Sequence, residues 1–334
     1  MGQGTKFGII SLEGMHLEAD FKDELHLAPG LRLHRQPPYP IDEHWKEWLG
    51  SLALSRYEDA TLHIVSEVAT DRHEILDAQH EQAHRRAFEV YWCLMLVDFL
   101  RLQGAPLSLQ GSVSPDGVPG IRSAGNQREP VVLQGSPIPT WNVQQLGTAL
   151  RLQTRLERMT VFSRLRRILD AFHSGVHSSS PDFRLHQFVR CIEGFIAAER
   201  GSTEKRFKSR TELFVGPAHH ELMGRLYGVR SRVEHLHDPI EAYSGSRFKR
   251  WLSLWHDAVV AEELARFIIR KFVLQDALWT RFRDEDSAVS FWRELSDRDR
   301  RELWGEPADV SAITDSFRGK YLDPEDLGLT EADR

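Results

Sequence analysis

The pattern of apolar and polar residues predicts an N-terminal region of mixed structure followed by a long helical region. Leucines alternate with polar residues on both sides of Pro29-Gly30, which predicts two or three short strands within residues 5–35. The same pattern predicts a helix from about Asp42 to Leu54, a strand over Thr61–Val65 and an amphipathic helix from about Ala78 to Leu102.

Glycine and proline are concentrated in the next segment of the chain. Residues 104–140 contain six residues of each type. Such clusters usually mark turns and loops, so the composition predicts a loop-rich connector over 104–141. Val131–Leu133 is the one stretch within it that predicts an edge strand.

From residue 143 onward apolar residues recur every three or four positions, which predicts four to five helices with short joints. Pro181 suits the first turn of one helix, and Asp238-Pro239 predicts the end of another. The predicted fold class is therefore α+β. A smaller mixed α/β domain over 1–141 precedes an all-α helical bundle over 142–283, and an acidic helix and tail follow over 284–334.

Composition and charge narrow the class of protein. The two cysteines, Cys93 and Cys191, lie in separate apolar helical stretches and are expected to be buried thiols, so a disulfide framework is excluded. The first 30 residues have no apolar signal-peptide core. The apolar run from Val90 to Leu100 contains Asp98 and is too short to cross a bilayer. We expect a cytoplasmic protein with no membrane partner.

The net charge of −6 conceals a strong segregation along the 334 residues. Residues 143–274 carry 22 Lys and Arg against 14 Asp and Glu, a balance of +8. The segments before and after carry 12 against 19 and 9 against 16, so each has a balance of −7. A basic block of this kind favours an RNA or DNA backbone as partner, although a solvated helical surface with internal salt bridges has the same composition.

Candidate chemistry lies in residues 226–235, Leu-Tyr-Gly-Val-Arg-Ser-Arg-Val-Glu-His, near the end of a predicted helix. Arg230 can hold a phosphate and His235 can move a proton near neutral pH. Two alternatives stay open: Arg230 can pair with Glu234 one turn away, and His235 can simply favour the negative end of the helix dipole. His237 is a second candidate, since seven residues are almost two helical turns from Arg230.

Two further blocks precede this decapeptide. Residues 162–173 are Phe-Ser-Arg-Leu-Arg-Arg-Ile-Leu-Asp-Ala-Phe-His, and residues 188–196 are Phe-Val-Arg-Cys-Ile-Glu-Gly-Phe-Ile. In this order the three blocks resemble the HEPN superfamily, specifically its Apea-like branch, over roughly residues 143–274. The sequence departs from the family's pattern at Leu236, where many relatives carry glycine.

The resemblance implies a metal-independent endoribonuclease that needs no cofactor and works as a homodimer. Two Arg230/His235 pairs would then line one cleft, with His235 as general base or acid and Arg230 stabilising charge on the phosphorane. RNA is the implied substrate. A role in toxin–antitoxin pairs or antiviral defence is implied as well, with an antitoxin or regulatory protein as partner. The N-terminal domain would sense a trigger or restrain the nuclease.

Supporting roles follow from the same resemblance. Glu193 matches an acidic residue of the family's second helix and would position Arg230 or His235. Ser231 occupies the position after the arginine, where relatives usually carry a polar residue, and would orient the site. Arg232 is a candidate for binding a flanking phosphate because of its position, two residues from Arg230 and on a different face of the helix. The arginine cluster of 151–167 adds Arg164, Arg166 and Arg167 as RNA-binding candidates. For each of these, an ordinary solvated side chain is the alternative.

Other chemistries find little support in the sequence. His235-Leu-His237-Asp238 resembles the start of a hydrolase metal motif, but its aspartate comes one position early, so no metal site is predicted. Gly-x-Ser-x-Gly, Walker and Gly-x-Gly-x-x-Gly motifs do not occur. The rival to the nuclease is a non-enzymatic HEPN module that binds RNA or a nucleotide, or scaffolds a partner protein.

Overall fold

A computed structural model describes residues 4–72, 76–132, 139–157, 163–196, 203–282 and 285–317, and it confirms the α+β class. The chain divides into two compact units: residues 1–130 with 138–154, and residues 131–137 with 155–334. Most of the first helix of the predicted bundle therefore belongs to the first unit, although the sequence predicted a boundary at 141/142.

The strands all belong to the first unit. In the described residues they are β1 (Gly4–Leu12), β2 (His16–Leu17), β3 (Glu24–Ala28), β4 (Leu31–His34), β5 (Leu62–Thr70), β6 (Leu107–Val113), β7 (Pro119–Asn126) and β8 (Thr140–Trp141). Six of them form an antiparallel sheet in the order β3-β4-β5-β1-β6-β7, while β2 and β8 pair in parallel. The predicted turn at Pro29-Gly30 joins β3 to β4, with Gly30 at a φ of 67°.

The predicted loop-rich connector is wrong, because β6 and β7 lie within it and complete the sheet. Leu107 and Leu109 alternate with serine and glutamine, and both leucines are buried. Gly111 is needed for close packing: a Cβ atom there would lie 2.4 Å from the Phe7 ring and 2.4 Å from the carbonyl oxygen of Gly120. Val131 forms no strand with Val132, and Leu133 lies outside the described residues.

Two helices accompany this sheet, α1 (Glu43–Glu58) and α2 (Ala78–Val97). Asp42 caps α1 by accepting a hydrogen bond from the Trp45 amide at 2.9 Å, so the helix starts where the sequence predicted and runs four residues further. α2 passes very close to β1, because a Cβ atom at Gly8 would lie 2.4 Å from the Cα atom of His84. α2 ends five residues earlier than predicted.

Helices make up the second unit. The described ones are α3 (Val143–Glu157, shared with the first unit), α4 (Ser163–Val176), α5 (Pro181–Ile196), α6 (Thr203–Val215), α7 (His220–Glu234), α8 (Arg247–Leu274), α9 (Asp276–Trp279), α10 (Glu285–Arg293), α11 (Asp297–Trp304) and α12 (Val310–Phe317). Helix α5 begins at Pro181 as predicted, and α7 ends at Glu234, four residues before the predicted end at Asp238-Pro239. Where one acidic C-terminal helix was expected, three short helices form, and Phe291 and Trp304 anchor them with buried aromatic side chains.

Helix α5 packs against α4, α7 and α8, and it carries the core of the second unit. Its apolar face buries Leu185, Phe188, Ile192 and Phe195. One arginine is buried with them: Arg184 pairs with Glu262 of α8, which also accepts a hydrogen bond from Arg266 at 2.7 Å. Each of these three side chains is 1% exposed. We call this group the sealed cluster.

The helices give no sign of a membrane segment within the described residues. None of them combines the length and the apolar character that crossing a lipid bilayer requires.

Candidate functional site

Helix α7 carries the candidate catalytic arginine. Met223, Leu226 and Val229 are spaced by three residues and are all buried, so one face of the helix is fixed against the bundle. Arg230 follows the last of these residues and lies at the edge of that face, 18% exposed. Its guanidinium carbon lies 5.9 Å from the centre of the Tyr227 ring.

Arg230 is engaged by two carboxylates. One Nη atom lies 3.0 Å from Glu193 Oε2 of α5, and the other contacts Glu234, which is one turn further along α7. Burial raises the pKa of Glu193 above its usual value, and Glu234 raises it further, while the Arg230 charge opposes both effects. Glu234 is 46% exposed, so its contact with Arg230 adds only about 0.5 kcal/mol or less to stability. We call Arg230, Glu193, Glu234 and His186 the Arg230 cluster.

His186 joins this cluster from α5, and the sequence analysis missed it. It lies two turns before Glu193, on the same face of the helix. Partial burial lowers its pKa, and the positive charges of Arg230 and Arg190 lower it further. Its Nε2 atom is buried and has no hydrogen-bond partner among the described residues. The seven-residue spacing from Glu193 was the available signal.

The end of α7 fixes the candidate histidine. His235 caps the helix, and its amide donates to the Ser231 carbonyl oxygen at 3.1 Å. The amides of Leu236 and His237 donate to Val233 at 3.1 Å and Arg232 at 2.9 Å, which is the hydrogen-bond pattern of a Schellman motif. Leu236 has a φ of 59° and is 93% exposed. The left-handed position that favours glycine is therefore kept, although leucine occupies it.

His235 and His237 are both exposed, and their ring centres lie 6.5 Å apart. The argument that placed His237 on the same helical face as Arg230 is wrong, because the helix ends at Glu234. Asp238 accepts a hydrogen bond from the Ile240 amide at 3.0 Å and caps a 3-10 helix over Pro239–Ala242. Within the described ranges, no group of three or more His, Cys, Asp or Glu side chains is arranged to hold a metal ion.

Asp257 of α8 accepts hydrogen bonds from residues before and after these two histidines. Arg225 donates to both Asp257 oxygens, at 2.7 and 3.0 Å, and the Tyr243 hydroxyl donates to one of them at 2.9 Å. Burial would raise the pKa of Asp257, but hydrogen bonds from His256, Arg225 and Tyr243 lower it below its usual value. The buried carboxylate of Asp257 thus links α8 to α7, which carries Arg225, and to Tyr243, which follows the 3-10 helix.

The remaining predicted residues are dispersed. Arg232 pairs with Glu241 at 3.1 Å, and Ser231 is half-buried beside it on α7. Arg166 and Arg167 are exposed on α4, whereas Arg164 is half-buried there. The structure therefore brings Arg230, Glu193 and His186 together, with His235 exposed at the end of the same helix.

The arrangement suits the binding of an anion and the transfer of a proton. A guanidinium group can bind a phosphate, and an exposed imidazole can act as acid or base near neutral pH. Comparisons with protein-family models, with curated proteins and with solved structures find no match for this chain.

Proposed function

We propose that this protein is a metal-independent endoribonuclease of the HEPN type, in which Arg230 and His235 act on an RNA phosphodiester. One observation carries the proposal: Glu193 of α5 holds Arg230 in place while His235 is exposed just beyond the end of the same helix. The resemblance of residues 143–274 to the HEPN superfamily supports the same conclusion.

In the proposed reaction the RNA supplies its own nucleophile. His235 takes the proton of a 2′-hydroxyl group, and the 2′-oxygen attacks the adjacent phosphorus. The bond to the 5′-oxygen breaks, that oxygen takes a proton, and the products are a 2′,3′-cyclic phosphate and a 5′-hydroxyl. Arg230 stabilises the negative charge that develops on the phosphorane. Glu193 keeps the guanidinium oriented while the phosphate replaces Glu234 on its other nitrogen.

The proposal includes a second copy of the chain. One Arg230/His235 pair offers a single proton-transfer group, whereas general acid and general base steps proceed faster with two. A two-fold interface that brings two α7 helices together would supply the second group. The basic balance of residues 143–274 supports RNA as the substrate.

The direct test is cleavage of single-stranded RNA by purified variants. Arg230→Ala and His235→Ala are each expected to lower the cleavage rate by about 100-fold or more, since one positioned proton-transfer or charge-stabilising group contributes that much. Arg298→Ala, at an exposed arginine of α11, is the matched control, and its rate should stay close to that of the wild type. Cleavage should continue in EDTA and leave a 2′,3′-cyclic phosphate.

Several outcomes would count against this assignment. Full activity in both variants would remove Arg230 and His235 from the reaction, and loss of cleavage in EDTA would point to a metal-dependent reaction. Light scattering that shows only monomers at micromolar concentration would contradict the shared cleft.

A second candidate function is a non-enzymatic HEPN module that binds RNA or a nucleotide, or scaffolds a partner protein. The observation that favours it is that both Nη atoms of Arg230 already have carboxylate partners. Wild-type protein that binds RNA and leaves it intact would favour this candidate over the nuclease.

A further inference from the structure

His186 is the residue of the Arg230 cluster that the proposed reaction does not use. Its charged neighbours come from both helices: Arg230 and Glu234 from α7, and Asp182 and Arg190 from α5. The imidazole lies seven residues before Glu193 on the same face of α5, and Glu193 is the carboxylate of α5 that contacts Arg230.

Two nitrogen atoms of this cluster are buried and have no hydrogen-bond partner among the described residues: His186 Nε2 and Arg230 Nε. Buried polar atoms without partners are rare in folded proteins, and each calls for an explanation. The Arg230 atom is always a donor. The Gln187 amide nitrogen lies 3.5 Å from His186 Nδ1, which is too long a contact to fix the tautomer, and we place the imidazole proton on Nε2 as part of the proposal below. Both unpartnered atoms are then donors, and an acceptor is what the site lacks.

We propose that His186 is a phosphate-binding residue, which donates from Nε2 to the same RNA phosphodiester that Arg230 holds. The inference rests on the proposed function and adds a third contact to its site. A phosphate oxygen is an acceptor only, so it satisfies a guanidinium donor and a neutral imidazole donor at once. In this proposal the positive charge of Arg230 attracts the phosphate, and the hydrogen bond from His186 Nε2 orients one of its oxygens.

The carboxylate that the phosphate would displace is Glu234. Arg230 keeps Glu193 in the bound state, whereas Glu234 is the more exposed of the two partners. Once Glu234 leaves, the two positive charges of Arg230 and Arg190 balance the two negative charges of Glu193 and Asp182, so the net charge of the site rises from −1 to 0 and one competing carboxylate is gone. Sequence alone gave no hint of this exchange, because it depends on which carboxylate is buried.

The experiment measures binding without cleavage. A fluorescein-labelled RNA with 2′-O-methyl groups at every position has no free 2′-hydroxyl, and its affinity is read by fluorescence anisotropy at fixed salt. His186→Ala should weaken binding about tenfold or more, as expected for loss of a hydrogen bond to a charged group. His186→Gln keeps an N–H donor and should stay within about threefold of the wild type. His44→Ala, at an exposed histidine of α1, is the matched control.

A second measurement does not depend on the variants. In the wild-type protein, the ¹⁵N resonance of His186 Nε2 should show a protonated nitrogen before RNA is added, and it should shift as RNA binds. Equal affinity in His186→Ala and His44→Ala would overturn the inference, and so would a His186 resonance that does not move. If RNA fails to bind the wild-type protein, the inference is overturned as well.

Its failure is distinguishable from failure of the nuclease proposal. Cleavage of unmodified RNA that depends on Arg230 and His235, with no effect of His186→Ala, would remove His186 and leave the nuclease intact. Binding that depends on His186 without any cleavage would remove the nuclease and leave the phosphate site in place.

Discussion

Helix α5 takes part in two arginine–carboxylate groups that differ in almost every respect. Near its start, Arg184 lies in the sealed cluster, where it also donates to the carbonyl oxygens of Val131, Val176 and Ser178 at 2.8 to 3.2 Å. Near its end, Glu193 holds Arg230, which is reached from solvent and is flanked by a half-exposed Glu234. The same pair of residue types thus stabilises the core of the bundle at one end of the helix and is open to solvent at the other.

The difference shows that the chemistry of an ion pair does not reveal its role. Moving a charged side chain from water into the core is unfavourable unless a partner of opposite charge is buried with it. Removing one member of a buried ion pair therefore leaves an unpaired charge in the core. A pair at the surface costs little to open, because water replaces the lost partner. The exposed pair can therefore exchange a carboxylate for a ligand, whereas the sealed cluster cannot.

The largest expected effect comes from breaking the sealed cluster. Glu262→Ala leaves Arg184 and Arg266 buried without their shared carboxylate and should lower the free energy of unfolding by about 3–5 kcal/mol. Glu193→Ala is the matched change at the other end of α5 and should cost about 1 kcal/mol, since Arg230 keeps Glu234 and access to water. Urea unfolding followed by circular dichroism measures both. If both variants lose the same free energy of unfolding, the sealed cluster and the Arg230 cluster do not differ in their contribution to stability.

A smaller effect is expected from acid. Burial lowers the pKa of His173 in α4 to about 3, with a further contribution from His177. His173 takes up a proton near pH 6.5 in the unfolded chain, but only near pH 3 in the folded chain. The free energy of unfolding therefore falls as the pH is lowered from about 6.5 towards 3, by about 1.4 kcal/mol per pH unit. His173→Leu should remove the share of this dependence that His173 contributes between pH 7 and pH 5, while His63, whose pKa burial also lowers to about 3, keeps its own share. His186→Gln in the Arg230 cluster should remove less. The free energy of unfolding in urea at pH 7 and at pH 5 tests this prediction. If the difference between the two pH values is the same in His173→Leu as in the wild type, the lowered pKa of His173 is contradicted.

The smallest effect concerns the backbone beside the Arg230 cluster. Leu236→Gly should raise the free energy of unfolding by about 1 kcal/mol, because glycine adopts a positive φ without the steric penalty that leucine meets. Leu236→Ala keeps the Cβ atom and should give no such gain. The RNA cleavage rate of Leu236→Gly should equal that of the wild type, because the hydrogen bonds that place His235 come from the backbone. Destabilisation of the glycine variant in urea would show that the leucine side chain has a contact of its own.

The sequence predicted the helices of the second unit better than the strands of the first. In α7 the apolar spacing reflects one buried face, whereas α5 and α8 are buried on more than one face and still have apolar residues at helical spacing, so periodicity locates all three. In β6, Gly111 packs closely against Phe7 and the neighbouring strand, and composition alone does not separate that use of glycine from a loop. Arg230 and Glu193 were predicted from the HEPN resemblance, and the structure places them in contact.

The surface charge of residues 143–274 is the property that the sequence predicts least well. Arg184 and Arg266 both count towards the basic balance of residues 143–274, yet neither reaches the surface. Charge counting cannot tell a buried arginine from a solvated one, because it ignores the partner that makes burial affordable. His186 was missed because its one signal is the seven-residue spacing from Glu193, and that spacing has a meaning only once Glu193 is known to hold Arg230.

The leucine in the left-handed position after His235 also bears on how such a site can change over evolutionary time. Backbone hydrogen bonds hold the turn, so the residue there can be exchanged without moving the histidine before it. The penalty of about 1–2 kcal/mol is small beside the 5–15 kcal/mol by which folded domains are usually stable. Glycine is therefore not required for the geometry of this turn, and a sequence pattern that demands glycine there would exclude chains that form it.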